Sequence, residues 1–179
     1  MLDVIIALVP ALIASVILFG PRVLAVTATT VVSAVLSEYA ARKVMKRHNT
    51  IKDLSAVVTG LILAFNLPVS IPLWMAAIGS FFAIVVVKQM FGGIGQNFAN
   101  PAIVARIVLL LSFGQAMGNW TAPLSWKTDA VTTATPLAIL GGETAEELPS
   151  LLDMFLGVRG GCLGETCSIA LVIGGIYLL

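Results

Sequence analysis

The sequence predicts an all-α membrane protein built from several transmembrane helices. Hydrophobic residues occupy 59% of the 179 positions and charged residues only 11%, and the mean hydropathy is +1.04. Soluble domains are about half apolar and about a quarter charged, so this chain has too few charges to cover a surface in water. The apolar residues occur in runs of about helix length. The net charge of +1 gives no reason to expect nucleic acid as a partner.

The region 1–117 is predicted to form about five membrane segments. These segments are 2–19, 23–41, 54–66, 71–87 and 102–117. The first run carries Asp3 where a signal peptide would carry Lys or Arg, so we expect it to be a retained helix. The third run would extend only about 20 Å, against a hydrocarbon core of about 30 Å. It is therefore either a re-entrant half-helix or a crossing completed by unwound chain, as in transporter folds.

The loop 42–53 predicts the orientation of the chain in the membrane. It holds five of the ten Lys and Arg residues, and positively charged loops stay in the cytoplasm. If 54–66 crosses the membrane, counting crossings places the polar loop 118–150 on the extracytoplasmic side. If 54–66 is only re-entrant, the same count places that loop in the cytoplasm.

The region 151–179 is predicted to contain a short amphipathic segment followed by one further transmembrane helix, at 163–179. That helix runs to Leu179 without a charged or capping residue. Helix ends carry polar groups that need partners, so we expect that the sequence continues beyond this point.

Isolated polar residues in the apolar segments are interpreted mainly as structural. Glu38 is expected to lie at a helix end, and Lys88 to close a membrane segment. Cys162 and Cys167 are interpreted as small apolar residues, with a disulfide or part of a metal site as the alternatives. The single histidine, His48, is expected at the surface. The sequence therefore predicts no catalytic residue and no metal ligand in this chain.

The segment FGGIGQNFANP at 91–101 is rich in glycine and asparagine. A Rossmann dinucleotide site is excluded because no strand precedes the glycines. The segment is either a flexible turn or a backbone surface that lines a flavin or ion site. Arg106, just beyond it, either extends to the interface or pairs with a flavin phosphate or a partner's carboxylate. The candidate contacts of such a site are Gly92, Gly93, Gly95, Asn97, Asn100 and Arg106.

The long polar loop contains the sequence DAVTTATPL, which by composition alone is an ordinary Ser/Thr-rich loop. It resembles the flavin-attachment motif Asp-x-x-(Ser/Thr)-x-Ala-Thr of a family of membrane subunits. These are the D subunits of Rnf-type ion-translocating ferredoxin:NAD oxidoreductases and the related B subunits of sodium-pumping NADH:quinone reductases. The fixed positions are occupied by Asp129, Thr132, Ala134 and Thr135. Thr133 stands where glycine is frequent.

Four further stretches resemble the same family, so the resemblance covers essentially the whole chain. They are IKDLSAVVTGLILAFNLP at 51–68, VVKQMFGGIGQNFANP at 86–101, LPSLLDMFLG at 148–157 and GETCSIALVIGGIYLL at 164–179. They favour the Rnf subunits over the quinone-reductase subunits. The resemblance implies a urea-channel-related helical fold, of which this chain holds the first half and part of the second. The C-terminal part would then be missing.

The resemblance also implies a function. It implies a membrane flavoprotein subunit that relays electrons through FMN, bound by a phosphoester to Thr135, and couples ferredoxin and NAD chemistry to ion movement. A phosphoester needs a hydroxyl, and Pro136 disfavours helix at the residue before it. A second flavin such as riboflavin is compatible with the family. The chain would be part of an enzyme only within its complex, with no complete active site of its own.

The implied partners are a second flavoprotein, iron–sulfur subunits, further membrane subunits and a flavin transferase. The implied location is the inner membrane, with several crossings and an extracytoplasmic flavin loop. Three alternatives remain: the B subunit of a sodium-pumping NADH:quinone reductase, a passive channel for small solutes, or a scaffold without a flavin.

Overall fold

The computed structural model describes residues 1–48, 51–124, 135–141 and 150–179. These residues form helices and contain no β-strand, which confirms the predicted all-α fold class for the described part of the chain. A 3-10 turn at Ile51–Asp53 precedes the third helix. The helices are α1 Leu2–Phe19, α2 Arg22–Val44, α3 Ser55–Phe65, α4 Leu73–Phe81, α5 Pro101–Ser112, α6 Gly114–Met117, α7 Pro136–Leu140, α8 Leu151–Leu156 and α9 Ser168–Leu178.

Two of the described helices, α1 and α2, are long and apolar enough to cross a membrane by length and composition. The first remains continuous through Pro10. One side of α1 is exposed and apolar, which suits contact with lipid and would be unfavourable in water. The exposed residues of this side are Leu2, Ile6, Val9, Ile13 and Ile17.

The helices pack closely where small residues allow their backbones to approach. A Cβ atom at Gly60 of α3 would lie 2.9 Å from the Cα atom of Val31 in α2. A Cβ atom at Gly79 of α4 would likewise lie 2.6 Å from the side chain of Leu109 in α5. Small residues at such crossings are typical of helices packed in lipid. The main buried cluster lies between these helices and includes Leu18, Val23, Val26, Leu63, Leu67, Ile71 and Leu109.

One end of the bundle, which we call the turn end, collects the α1–α2 turn and two later loops. Arg22, the first residue of α2, donates from Nε to the carbonyl of Val69 at 2.9 Å. Ser70 donates from its hydroxyl to the carbonyl of Asn119 at 2.7 Å. Residues 118–124, the described start of the long polar loop, therefore lie at the turn end.

The opposite end, which we call the basic end, joins the loop after α2 to the loop after α4. Arg47 donates from Nη1 to the carbonyl of Gln89 at 3.2 Å. A helix of 23 residues extends about 34 Å, so the two ends of α2 are a membrane thickness apart. The short helix α3 starts near the basic end, and the chain after it reaches Val69 at the turn end.

Several predicted segments differ from the helices observed. The predicted segment 71–87 continues to Gln89, because α4 passes into a π-helical stretch at Phe82–Gln89. The predicted segment 102–117 is broken at Phe113, whose backbone leaves the helical region at φ −134° and ψ 46°. The predicted segment 163–179 becomes helical only at Ser168.

The late start of α9 has a packing cause. A Cβ atom at Gly164 would lie 2.4 Å from the Cβ atom of Phe65, so the chain there presses against the end of α3. The helix α9 then runs antiparallel to α1. Its residue Gly174 meets the carbonyl of Ala7, and its Ala170 packs against Ala11. Since Ala11 lies in the middle of α1, α9 begins about halfway through the bundle.

Candidate functional site

Thr135, the predicted flavin-bearing residue, stands directly before α7 and is partly exposed. Its carbonyl accepts from the Ile139 amide at 3.1 Å, so it closes the first turn of this helix. Pro136 is the first helical residue, where proline's missing amide hydrogen costs nothing. Thr135 therefore lies outside the helix, as predicted from the proline. The other motif positions, Asp129, Thr132, Thr133 and Ala134, lie outside the described residues.

The glycine-rich loop between α4 and α5 is folded by its own residues. Gly92, Gly93 and Gly95 have φ values of 115°, 108° and 80°, a conformation that favours glycine. In the amide orientation that satisfies its neighbours, Asn97 donates to the carbonyls of Gly93 and Val87, at 3.1 and 3.2 Å. The loop is thus tied back to the end of the π-helical stretch.

Asn100 also has a local role. Its Oδ1 accepts from the Ala102 amide at 3.0 Å and caps the start of α5, with Pro101 as the first helical residue. The predicted ligand contacts of Asn97 and Asn100 therefore remain predictions, while the structure shows that both amides stabilise the turn.

Arg106 pairs with no carboxylate among the described residues, and its predicted contact with the interface or a flavin phosphate stays a prediction. Its Nη1 donates to Oδ1 of Asn66 at 2.9 Å, and the amide nitrogen of Asn66 donates to the Ile62 carbonyl at 2.8 Å. Arg106 is partly buried and directed toward the C-terminal end of α3. The glycine-rich loop lies at the basic end, and no described hydrogen bond joins it to Arg106.

The unwound chain after α3 meets the unwound chain before α9. The amide of Leu163 donates to the carbonyl of Leu67 at 3.1 Å, and the amide of Gly164 donates to the carbonyl of Phe65 at 3.0 Å. The Ser15 hydroxyl of α1 donates to the Leu163 carbonyl. Backbone groups freed by breaking a helix inside an apolar bundle need such partners. The two broken ends therefore satisfy each other within the protein.

A buried polar cluster lies near the basic end and was missed by the sequence interpretation. Lys88 donates to both carboxylate oxygens of Glu38, at 3.1 and 3.2 Å, and to the Ser55 hydroxyl at 2.6 Å. Gln89 donates to the same carboxylate at 2.8 Å. The side chains of Lys88 and Glu38 are 2% and 0% exposed.

The predicted place of Glu38 at a helix end was wrong. It lies six residues before the end of α2, with its carboxylate directed into the bundle. Lys88 and Gln89 both reach it because they are consecutive residues of the π-helical stretch, a rare geometry that is frequent at functional sites. The signal available in the sequence was a pair of opposite charges at similar depth in two apolar segments.

The two cysteines are free thiols. Cys162 is buried, and Cys167 packs against the main buried cluster. Within the described ranges, no group of three or more His, Cys, Asp or Glu residues is placed to hold a metal ion. Among the predicted site residues that the structure describes, Thr135 is the one that carries a hydroxyl, and the residue is partly exposed.

Comparison with known proteins gives one consistent family. The model of the NQR2, RnfD, RnfE family matches residues 1–179. The chain is 50% identical to the D subunit of the Na(+)-translocating ferredoxin:NAD(+) oxidoreductase complex of Acetobacterium woodii, over all of this chain and 56% of that protein. It is 44% identical to the D subunit of the proton-translocating ferredoxin:NAD(+) oxidoreductase complex of Clostridium ljungdahlii, over all of this chain and 56% of that protein.

A more distant relative has a similar name. The D subunit of the ion-translocating oxidoreductase complex of Rhodobacter capsulatus is 36% identical over all of this chain and 58% of its own length. The chain thus spans a little over half the length of the curated relatives that it matches.

Proposed function

Because this chain belongs to the NQR2, RnfD, RnfE family of membrane proteins, we propose that it is part of the membrane-embedded D subunit of a redox-driven ion-translocating complex. The family match over all 179 residues carries the proposal. The similarity to two D subunits, at 50% and 44% identity, favours this interpretation over the B subunit of a quinone reductase. Those two relatives are named for different ions, so the proposal is made for ion translocation without a choice of cation.

The proposal includes a flavin on Thr135. The threonine hydroxyl is the acceptor that a phosphoester to FMN requires, and Thr135 is a partly exposed residue directly before Pro136. Bound FMN supplies electron transfer, while the protein supplies its position and surroundings. The residues of this chain then need no general acid or base.

The position of the long loop supports an extracytoplasmic flavin. Residues 118–124 lie at the turn end, and the backbone amide of Leu124 donates to the carbonyl of Leu18 at 2.6 Å. The basic end carries the positively charged loop, which is expected in the cytoplasm. In this proposal α3 and the unwound chain after it form one crossing, and the protein is a multi-pass protein of the inner membrane.

The proposed partners are the other subunits of an Rnf-type complex. They comprise a second flavoprotein, iron–sulfur subunits and further membrane subunits, which carry electrons between ferredoxin, the FMN on Thr135 and NAD. A second, non-covalent flavin such as riboflavin is part of the same proposal.

The test is covalent flavin on the purified protein, produced together with a flavin transferase. Wild-type protein should fluoresce as a flavin band on a denaturing gel, and its intact mass should include FMN. Thr135→Ala should lose both signals, because no hydroxyl remains to form the phosphoester. Thr133→Ala, which removes a hydroxyl two residues away at a variable motif position, should keep both. Fluorescence that persists in Thr135→Ala would contradict the assignment.

A passive channel for small solutes is the second candidate. The paired broken ends of α3 and α9 favour it, because unwound chain inside an apolar bundle is typical of transporters. A wild-type protein that stays colourless after production with the transferase, yet increases solute flux into vesicles, would support the channel over the flavoprotein.

A further inference from the structure

A recess at the basic end is lined by three cations and one phenol. Its volume is about 240 Å³, and its lining residues are Tyr39, Arg42, Lys43 and Arg47. None of the described lining residues is a carboxylate. The recess therefore has the composition of a site for an anion. It lies at the basic end, where basic residues attract the anionic headgroups of lipids.

Arg42, Lys43 and Arg47 form no ion pair with a carboxylate of the described residues. Arg42 and Arg47 donate to the carbonyls of His48 and Gln89, at 3.0 and 3.2 Å, which orient the guanidinium groups without cancelling their charge. Lys43 lies 5.9 Å from the centre of the Tyr39 ring. Nε of Arg42 is buried, and no described group accepts from it. These cations thus retain the capacity to bind phosphate oxygens.

Arg42 lies against the glycine-rich loop. A Cβ atom at Gly93 would lie 2.9 Å from Nη2 of Arg42. The guanidinium also donates to the His48 carbonyl, so two segments of the basic end contact it.

An apolar groove lies along α2 on the turn-end side of the recess. The groove has a volume of about 450 Å³, and its lining residues are Ala28, Thr29, Val32, Ser33, Leu36 and Ser37. Val32 and Leu36 are exposed and lie on the same helix face as Tyr39 and Lys43, at spacings of three or four residues. From Ala28 to Tyr39 the helix rises about 16 Å, close to half of a roughly 30 Å hydrocarbon core.

We propose that the recess and the groove together bind one anionic phospholipid. Its headgroup phosphate lies among Arg42, Lys43 and Arg47, beside the Tyr39 hydroxyl, and its acyl chain lies in the groove along α2. A free phosphate would occupy the recess alone, whereas a lipid would also fill the groove. The groove follows α2 over a length close to the depth of one leaflet. This assignment does not depend on the proposed flavin.

The test measures lipid retention by native mass spectrometry of the detergent-purified protein. Phosphatidylglycerol, phosphatidylcholine and inorganic phosphate are titrated separately. One phosphatidylglycerol should bind and survive activation that removes phosphatidylcholine. The double variant Lys43→Gln, Arg47→Gln should bind phosphatidylglycerol about twenty-fivefold more weakly, since each cation near an anionic headgroup contributes about fivefold. Its matched control is Lys46→Gln, Lys52→Gln, which removes the same charge outside the recess and should bind as the wild type does.

A second pair of variants tests the groove without changing any charge. Val32→Trp places a large ring in the groove and should weaken phosphatidylglycerol binding at unchanged thermal stability. Leu24→Trp, at another exposed position of α2, should leave phosphatidylglycerol binding unchanged.

Three results would overturn the proposal. They are an equal loss in the two double variants, equal retention of phosphatidylcholine, and displacement of the bound lipid by millimolar inorganic phosphate. Equal loss in the two double variants would indicate a diffuse electrostatic attraction to all the basic residues. Equal retention of phosphatidylcholine would indicate a nonspecific apolar surface, and displacement by phosphate would indicate a site for free anions.

Discussion

At the scale of single residues, Glu38 and Lys88 show how an apolar bundle accommodates charge. Both are fully removed from solvent, and each would be very costly alone in that environment. The Ser55 hydroxyl and the Gln89 amide supply further hydrogen bonds, which a buried pair needs in order to offset the loss of solvation. The cluster therefore links α2, α3 and the π-helical stretch as one polar unit.

The pair predicts a non-additive response to substitution. Lys88→Met should lower the free energy of unfolding by about 3–5 kcal/mol, because it leaves the Glu38 carboxylate buried without its ammonium partner. Adding Glu38→Gln should recover most of that loss, since the double variant buries no charge. Thermal unfolding of the four proteins in one detergent measures the coupling. Lys52→Met, the same change at an exposed position, is the control and should alter stability little. Simple addition of the two single losses would show that the pair is not the stabilising unit.

At the scale of helices, small residues determine which pairs pack and where helices break. Gly60 brings α3 against the backbone of α2, and Gly164 lets the unwound chain before α9 press on Phe65. That contact lets the carbonyls left by the end of α3 accept from the amides of Leu163 and Gly164. The break in one helix thus depends on the break in the other, although they are about a hundred residues apart in the sequence.

The α1–α9 contact gives a prediction with a neighbouring control. A Cβ atom at Gly174 would lie 2.1 Å from the carbonyl oxygen of Ala7, so Gly174→Ala must separate the two helices. We expect a loss of about 1–3 kcal/mol, the usual range for overpacking. At Gly175 nothing lies within 4 Å of an added Cβ atom, so Gly175→Ala should be neutral or slightly stabilising. The melting temperatures of the two variants in the same detergent measure this difference. Equal melting temperatures would contradict the close packing of α1 against α9.

At the scale of the whole molecule, the two ends of the bundle differ in charge and in the loops that they collect. Arg42 and Arg47 mark the basic end, while the turn end holds the start of the long polar loop. If the basic end faces the cytoplasm, the long polar loop begins on the opposite side of the membrane.

Accessibility of single cysteines tests this orientation in intact cells. In a background in which Cys162 and Cys167 are replaced by alanine, Asn119→Cys should react with a membrane-impermeant maleimide added outside. Lys46→Cys should react only after the membrane is permeabilised. Both positions are exposed, so that burial does not explain a difference. The opposite labelling pattern would place the loop 118–150 in the cytoplasm, whether or not Thr135 carries a flavin.

Composition and motif determined several properties of this protein without any coordinates. The low charge content and the apolar runs determined a helical membrane protein, because only helices and closed barrels satisfy the backbone in lipid. The boundaries of α1, α2 and α3 were predicted to within a few residues for the same reason. Thr135 as the flavin-bearing residue was predicted from the resemblance of its motif, and this assignment stays a prediction.

Only the tertiary structure decided the contacts between segments that are distant in the sequence. The Glu38–Lys88 pair, the partner of Arg106 and the start of α9 at Ser168 all depend on neighbours from other helices. Hydropathy measures the preference of each single residue for lipid. It does not indicate which polar groups from different helices meet at the same depth. The membrane setting is therefore determined by composition, whereas the buried polar contacts are determined by the packing of the helices.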